Sequence, residues 1–238
     1  MVFLSSAILI WVYMTFWYLL SIVKKRHDIA DIAWGLGFIL VTLYNLISAS
    51  TPKLLISLVL ISIWGLRLAI HIYNRNRHRP EDYRYQAFKS SPYFKVFITQ
   101  GFFMWLICFP LYNSIGGLQF FNIPGILIWL LGFYFESTAD RQLKVFINNP
   151  SHKGKIMQSG LWAYSRHPNY FGEVTMWWGI WLLNLSTNWW TVIGPLTITF
   201  LILKVSGVPL LEKKYEGNAE FADYKRRVSV FIPWWPQK

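Results

Sequence analysis

The sequence predicts an all-α, polytopic membrane helical bundle of about seven transmembrane helices, and three observations carry that prediction. Of 238 residues, 54% are hydrophobic and only 14% charged, too apolar a balance for a soluble domain of this size. The apolar residues also fall in runs of about twenty, the length a helix needs to cross the hydrocarbon core while satisfying its own backbone groups. Finally, Lys and Arg alternate from loop to loop, the pattern of a chain that keeps its basic loops in the cytoplasm.

The apolar runs give spans at 3–23, 29–49, 54–74, 96–113, 125–147, 169–186 and 190–209. Pro110 interrupts the fourth, and the sixth and seventh nearly join at Thr187, Asn188 and Trp189, so six and eight are the neighbouring counts. Eighteen basic residues fall on one set of loops: Lys24, Lys25 and Arg26; Arg75, Arg77, Arg79, Arg84, Lys89 and Lys95; Lys153, Lys155 and Arg166; Lys213, Lys214, Lys225, Arg226, Arg227 and Lys238. The opposite loops hold Lys53 alone. The N-terminus is therefore expected outside and the C-terminus in the cytoplasm. The same asymmetry accounts for the net charge of +12 without a nucleic-acid partner.

Cys108 is the only cysteine and lies in a span, so neither a disulfide framework nor a cysteine-ligated metal site is expected. The first span is long for the apolar core of a cleavable signal, with no basic residue before it and no convincing cleavage site, and reads as retained. Without repeats, low-complexity tracts or long linkers, residues 1–238 read as one membrane domain. Its longer cytoplasmic segments, near 75–95, 148–168 and 210–238, mix Tyr, Trp, Arg, Asn and Glu, a composition suited to closing over a polar ligand.

Ionisable side chains at membrane depth cost several kcal/mol unless paired or facing water, so each is a functional candidate by default. Asp28 and Asp31 open the second span; Asp28 reads as interfacial, and Asp31 shares a face with Trp34 and Phe38. Asp31 has the alternative role of a helix N-terminal carboxylate. In the third span Arg67, His71, Asn74 and His78 form a polar stripe, while Tyr73 lies about 120° round the helix. That stripe either lines a site or uses Arg67 to tie Asp31 to the neighbouring helix. The fifth span ends with Glu136 and Asp140 at i, i+4 and Lys144 one turn on. Such a repelling carboxylate pair suits a helix that presents acceptors to a ligand, an Asp140–Lys144 pair being the structural alternative.

The richest stretch is Gly160-Leu161-Trp162-Ala163-Tyr164-Ser165-Arg166-His167-Pro168-Asn169-Tyr170-Phe171-Gly172-Glu173. Pro168 can start the sixth helix, whose free N–H groups beside Arg166 and His167 make a seat for phosphate or carboxylate. Asn169, Glu173 and Trp177 then repeat at i, i+4, i+8, an amide, a carboxylate and an aromatic plane on one stripe.

These segments resemble the steroid 5α-reductase superfamily, and most closely its bacterial branch, the domain of unknown function 1295 group. The resemblance rests on Glu136 to Lys144, the GLWAYSRHPNYFGE run and the tail from Phe221-Ala222-Asp223-Tyr224 to Phe231-Ile232-Pro233-Trp234. The segments DIADIAWGLGF and WGLRLAIHIYNRNRHRPEDYRYQAF resemble that bacterial branch in particular. It implies an NADPH-binding half over about 125–238, with Asp140 matching the acidic residue of the cofactor pocket and Glu136 standing where the reductases carry asparagine. Tyr164, Asn169 and Glu173 match positions of the cofactor motif, and Tyr224 matches the tail tyrosine. The reductases polarise the substrate carbonyl with a glutamate and a tyrosine, neither of which aligns with a definite position here. The substrate-end residues are therefore taken from the polar cluster, Asp31 and His71 first and Tyr73 in reserve.

The implied activity is reduction of a carbon–carbon double bond in a lipophilic substrate that enters from the bilayer, with no obligate protein partner. The alternative is a membrane methyltransferase of the isoprenylcysteine carboxyl or phospholipid type, using S-adenosylmethionine. Arg166, His167, Pro168, Tyr170 and Gly172 fit its Arg-His-Pro-x-Tyr-x-Gly run, but the tail carries the single Glu212 where that family carries adjacent glutamates. A scaffold or transporter is the third class; a transporter often shows repeated halves, and no repeat is visible.

Overall fold

A computed structural model describes residues 2–237 except 83, 84, 86, 87, 89, 186 and 187. Arg84, Lys89 and Lys238 of the charge pattern, and Thr187 at the expected span junction, lie outside the described residues. All regular structure among the described residues is helical. Five helices among them are long and apolar enough to cross a membrane: Val2–Lys24, His27–Ala49, Pro52–Asn76, Phe120–Asn148 and Trp189–Lys213.

The other two expected spans are shorter than the sequence suggests. Residues 96–113 divide into a π turn Tyr93–Ile98, a helix Thr99–Ile107 and a single turn Phe109–Tyr112, with the break at Cys108 before Pro110. Proline there has no N–H to give and sits in the first turn after the break, where that loss is harmless. Residues 169–186 become a helix over Pro168–Leu183, about 24 Å long, short of the ~30 Å hydrocarbon core.

The chain forms two compact units, Met1–Asn122 with Leu183–Gly194, and Ile123–Leu182 with Pro195–Lys238. In the first, α1 (Val2–Lys24), α2 (Ala30–Ala49) and α3 (Pro52–Asn76) are the long elements. Ser50 in the left-handed region ends α2, and Thr51 caps α3 by accepting from the Leu54 N–H, with Pro52 in its first turn. The two helices cross where Gly35 meets Gly65: a Cβ on Gly35 would lie 2.7 Å from the Gly65 carbonyl oxygen. Phe38 and Trp64 pack beside that crossing with ring centroids 5.8 Å apart. Lys53, counted above as the lone basic residue of the outer loops, is buried, its Nζ 3.5 Å from the Leu185 carbonyl. Asn184 donates to Ser57 Oγ at 2.8 Å nearby.

In the second unit, α4 (Ile123–Asn148) and α5 (Pro168–Leu183) run antiparallel and touch backbone to backbone. A Cβ on Gly132 would lie 2.6 Å from the Gly172 carbonyl, and one on Gly179 would lie 2.6 Å from that of Gly125. The last apolar run, Trp189–Lys213, bends at Gly207, and α6 (Ala219–Arg227) follows, capped by Asn218 accepting from the Phe221 N–H. Trp178 Nε1 on α5 donates to Thr199 Oγ1 of that run at 3.3 Å. Phe221, Tyr224 and Val228 close a small core with Ile156.

Candidate functional site

The α4–α5 crossing sets the geometry of the main candidate. Gly172 packs directly against the backbone of Glu136, and in antiparallel register the next pair along is Asp140 and Asn169. Asn169 Nδ2 donates to Asp140 Oδ1 at 3.3 Å, while Asn169 Oδ1 is buried without a hydrogen-bond partner among the described residues. Glu136 is 3% exposed, Asp140 and Glu173 are partly buried, and Trp177 is buried further along α5. The i, i+4 pairs thus come together as one polar strip with carboxylates on α4 and an amide and a carboxylate on α5. Lys144 and Arg141 stand exposed at the far end of α4.

The segment before α5 is fixed from both sides. Gly160 has φ +64° and lies against the Gln142 amide, which accepts from the Leu161 N–H at 3.0 Å; a side chain at position 160 would meet both strain and a clash. Trp162 Nε1 donates to the Ala139 carbonyl at 3.1 Å. Tyr224 donates to the Trp162 carbonyl, and burial pushes its hydroxyl well above the ordinary tyrosine range, so it stays a neutral donor. The Arg166 N–H donates to the Ser229 carbonyl at 2.9 Å, and the Trp234 N–H donates to the Tyr164 carbonyl at 2.9 Å. Tyr164 itself is half-exposed, its ring edge-on to Trp235 at 5.5 Å.

Arg166 and His167, expected to flank an anion seat, are turned onto the protein's own groups. Arg166 Nε lies 2.9 Å from Glu212 Oε1, and Nη1 donates to the carbonyls of Lys225 at 3.1 Å and Val228 at 2.6 Å, the end of α6. His167 Nε2 is 3.2 Å from the same Glu212 oxygen, and its ring stacks on Tyr170 at 5.7 Å. Lys225 reaches Glu212 Oε2 at 3.3 Å from a side chain 57% exposed. Sequence reasoning passed over Glu212 as a site residue. The signal was present in the absence of any other nearby acid between Glu173 and Glu216, beside a basic pair that burial obliges to find an anion.

In the first unit, Asp28 is buried within the protein. Arg26 Nε and Nη2 grip it at 3.0 and 2.8 Å, and Asn76 Nδ2 donates to it at 3.3 Å. Asp31 accepts from the Tyr85 hydroxyl at 2.5 Å, and Tyr85 is buried. Tyr85 was not among the expected residues; it follows α3 by nine positions and no helical spacing links it to Asp31. His71 and Arg67 are partly buried on α3. Tyr73 is 56% exposed and continues the outward apolar stripe of Val59, Ile63, Leu66 and Ile70, so it does not share the face of His71.

These features define a multi-pass integral membrane protein whose ionisable residues gather at helix ends and at one glycine-mediated crossing. A family model, "Protein of unknown function (DUF1295)", matches residues 17–228, and the chain belongs to that family. It is 30% identical over 113 residues to 3-oxo-5-alpha-steroid 4-dehydrogenase 1 of Bos taurus, covering 47% of this chain and 41% of that protein. To the protein of the same name from Rattus norvegicus it is 27% identical over 115 residues, covering 47% and 41%. The chain thus matches about two fifths of the length of these curated relatives. No solved structure matches.

Proposed function

We propose that the protein is a membrane-embedded, NADPH-dependent reductase of a carbon–carbon double bond in a lipophilic enone, of steroid-like or isoprenoid type. The observation that carries the reading is the Asp140–Asn169 contact at the α4–α5 crossing, with a buried Asn169 Oδ1 that has no hydrogen-bond partner among the described residues. Such a strip fits a dinucleotide: carboxylates accept from ribose hydroxyls, and the Asn169 oxygen accepts from an amide or hydroxyl donor. When bound, NADPH supplies the hydride that this reduction consumes. The relatives' printed names, which describe steroid 4-dehydrogenation, support the same reaction class.

The substrate end is assigned to Asp31 and His71, together with Tyr85, which donates to Asp31. Reduction of an enone would need, besides the hydride that the cofactor supplies, a donor at the carbonyl oxygen, where charge builds up until the α-carbon takes a proton from solvent. The Tyr85 hydroxyl, which donates to Asp31 Oδ1 at 2.5 Å, is the proposed donor to that carbonyl once substrate is bound. Tyr85 takes the place kept for Tyr73. Replacing Tyr85 by Phe should lower single-turnover reduction of a test enone about 100-fold while NADPH affinity is retained; unchanged turnover in a folded variant would remove Tyr85 from the chemistry.

The cofactor assignment is tested by titrating the detergent-purified protein with NADPH, NADH and S-adenosylmethionine side by side. Asn169→Ala should weaken NADPH binding by about 1 to 3 kcal/mol, as expected for a lost buried polar contact. Tighter binding of S-adenosylmethionine than of either dinucleotide would instead establish the methyltransferase alternative.

We also propose seven membrane crossings, an outside N-terminus and a cytoplasmic C-terminus, supported by the eighteen-to-one distribution of basic loop residues. A reporter fused after Lys238 should be cytoplasmic and one inserted at Gly117 external. Reporters on one side only would refute the proposed topology.

A further inference from the structure

The segment 228–237 carries apolar side chains that the fold does not use. Ile232 is 62% exposed, Trp234 69% and Trp235 74%. Its backbone, by contrast, is fixed: Ser229 and Phe231 accept from the Arg166 N–H and Ser165 Oγ, the Trp234 N–H donates to Tyr164, and the Gln237 N–H donates to Arg227. Two tryptophans and an isoleucine are thus held in place largely exposed, with Trp235 edge-on to Tyr164 of the same unit, a costly display in water.

The level at which they are held is informative. Tyr164 to Arg166 end two residues before Pro168 opens α5, and Arg166 also binds Glu212 at the close of the Trp189–Lys213 run. The segment therefore lies within about a turn of two helix ends, where the hydrocarbon gives way to headgroups. Tryptophan favours that zone because its indole body is apolar and its N–H needs a polar partner. Exposed Lys153, Lys155, Lys213 and Lys214 belong to the neighbouring segments of the same unit, Ile156 of the first pair's loop packing on the α6 core. Lysines so placed complement an anionic lipid surface.

We propose that residues 230–235 form an interfacial anchor that seats Trp234 and Trp235 among the headgroups of an anionic leaflet, with these lysines on the lipid phosphates. Because the same backbone pins Tyr164 and Arg166, the seated anchor braces the segment that leads into α5.

The test uses the full chain. Cys108 is the only cysteine and is buried, so a nitroxide on Gln237→Cys reports alone. In nanodiscs of phosphatidylcholine mixed with phosphatidylglycerol, the label should be more accessible to oxygen than to a water-soluble nickel chelate. A shift toward the chelate is expected in phosphatidylcholine alone. The pair Trp234→Ser and Trp235→Ser should abolish the oxygen preference without lowering the melting temperature in detergent, since both side chains are exposed. Lys213→Gln with Lys214→Gln should erase the difference between the two lipid mixtures. A label equally open to the chelate in both bilayers would overturn the proposal. So would shielding that persists in detergent and rises with protein concentration, which would assign the patch to a second copy of the chain.

Discussion

Replacing Arg166 by alanine is expected to destabilise the protein by about 3 to 5 kcal/mol, the cost of breaking a buried charge network by removing one partner. Arg166 and Glu212 side chains are 6% and 12% exposed, so little solvent is available to replace what is lost. The deletion removes the donor to the Lys225 and Val228 carbonyls and one of the groups holding Glu212, so α6 keeps the Tyr224–Trp162 bond but loses its charged attachment to the segment before α5. Arg166→Lys should recover only part of the loss, because an ammonium cannot reproduce the guanidinium fork that serves a carboxylate and two carbonyls together. Lys225→Ala, by contrast, removes a mostly exposed partner of the same Glu212 and should cost no more than about 1 kcal/mol. Thermal melting in detergent, with limited proteolysis of the 213–219 connection, distinguishes the three. Equal melting temperatures for wild type and Arg166→Ala would show that the network adds nothing to stability.

The second large effect is expected at the helix crossing. Gly172→Val places a branched side chain against the Glu136 backbone and 2.5 Å from the Gly132 carbonyl oxygen. These are helical backbone atoms that cannot swing aside, so α4 and α5 must separate. A cost of about 3 kcal/mol or more follows, the upper end of overpacking in a well-packed interior. Separation would also lengthen the Asp140–Asn169 contact, already 3.3 Å. On the proposed function, NADPH affinity should therefore fall in the fraction that remains folded, although no side chain of the polar strip has been altered. Gly172→Ala should show the same two effects in smaller measure. A Gly172→Val protein with native melting temperature would contradict the close crossing. One with lowered melting temperature but native NADPH affinity would leave the crossing intact and dissociate it from the cofactor.

Local pattern determined a good deal of this protein. The membrane class and five of the expected spans were legible because apolar runs and the requirement for internal backbone hydrogen bonding act within a segment. Pro110 and Pro168 marked a break and a helix start for the same local reason, the missing N–H and the fixed φ of proline. The i, i+4 rows Glu136–Asp140 and Asn169–Glu173 were visible one helix at a time. Tertiary structure decided which rows meet: Gly132 and Gly172 bring Asp140 to Asn169, a fact of close backbone approach that neither helix encodes alone. It also turned Arg166 and His167 onto Glu212, buried Asp28 against Arg26, and gave Asp31 a phenol partner in Tyr85. Each of those pairings is settled by burial, which forces a charged or polar group to take the nearest complement that the rest of the fold supplies.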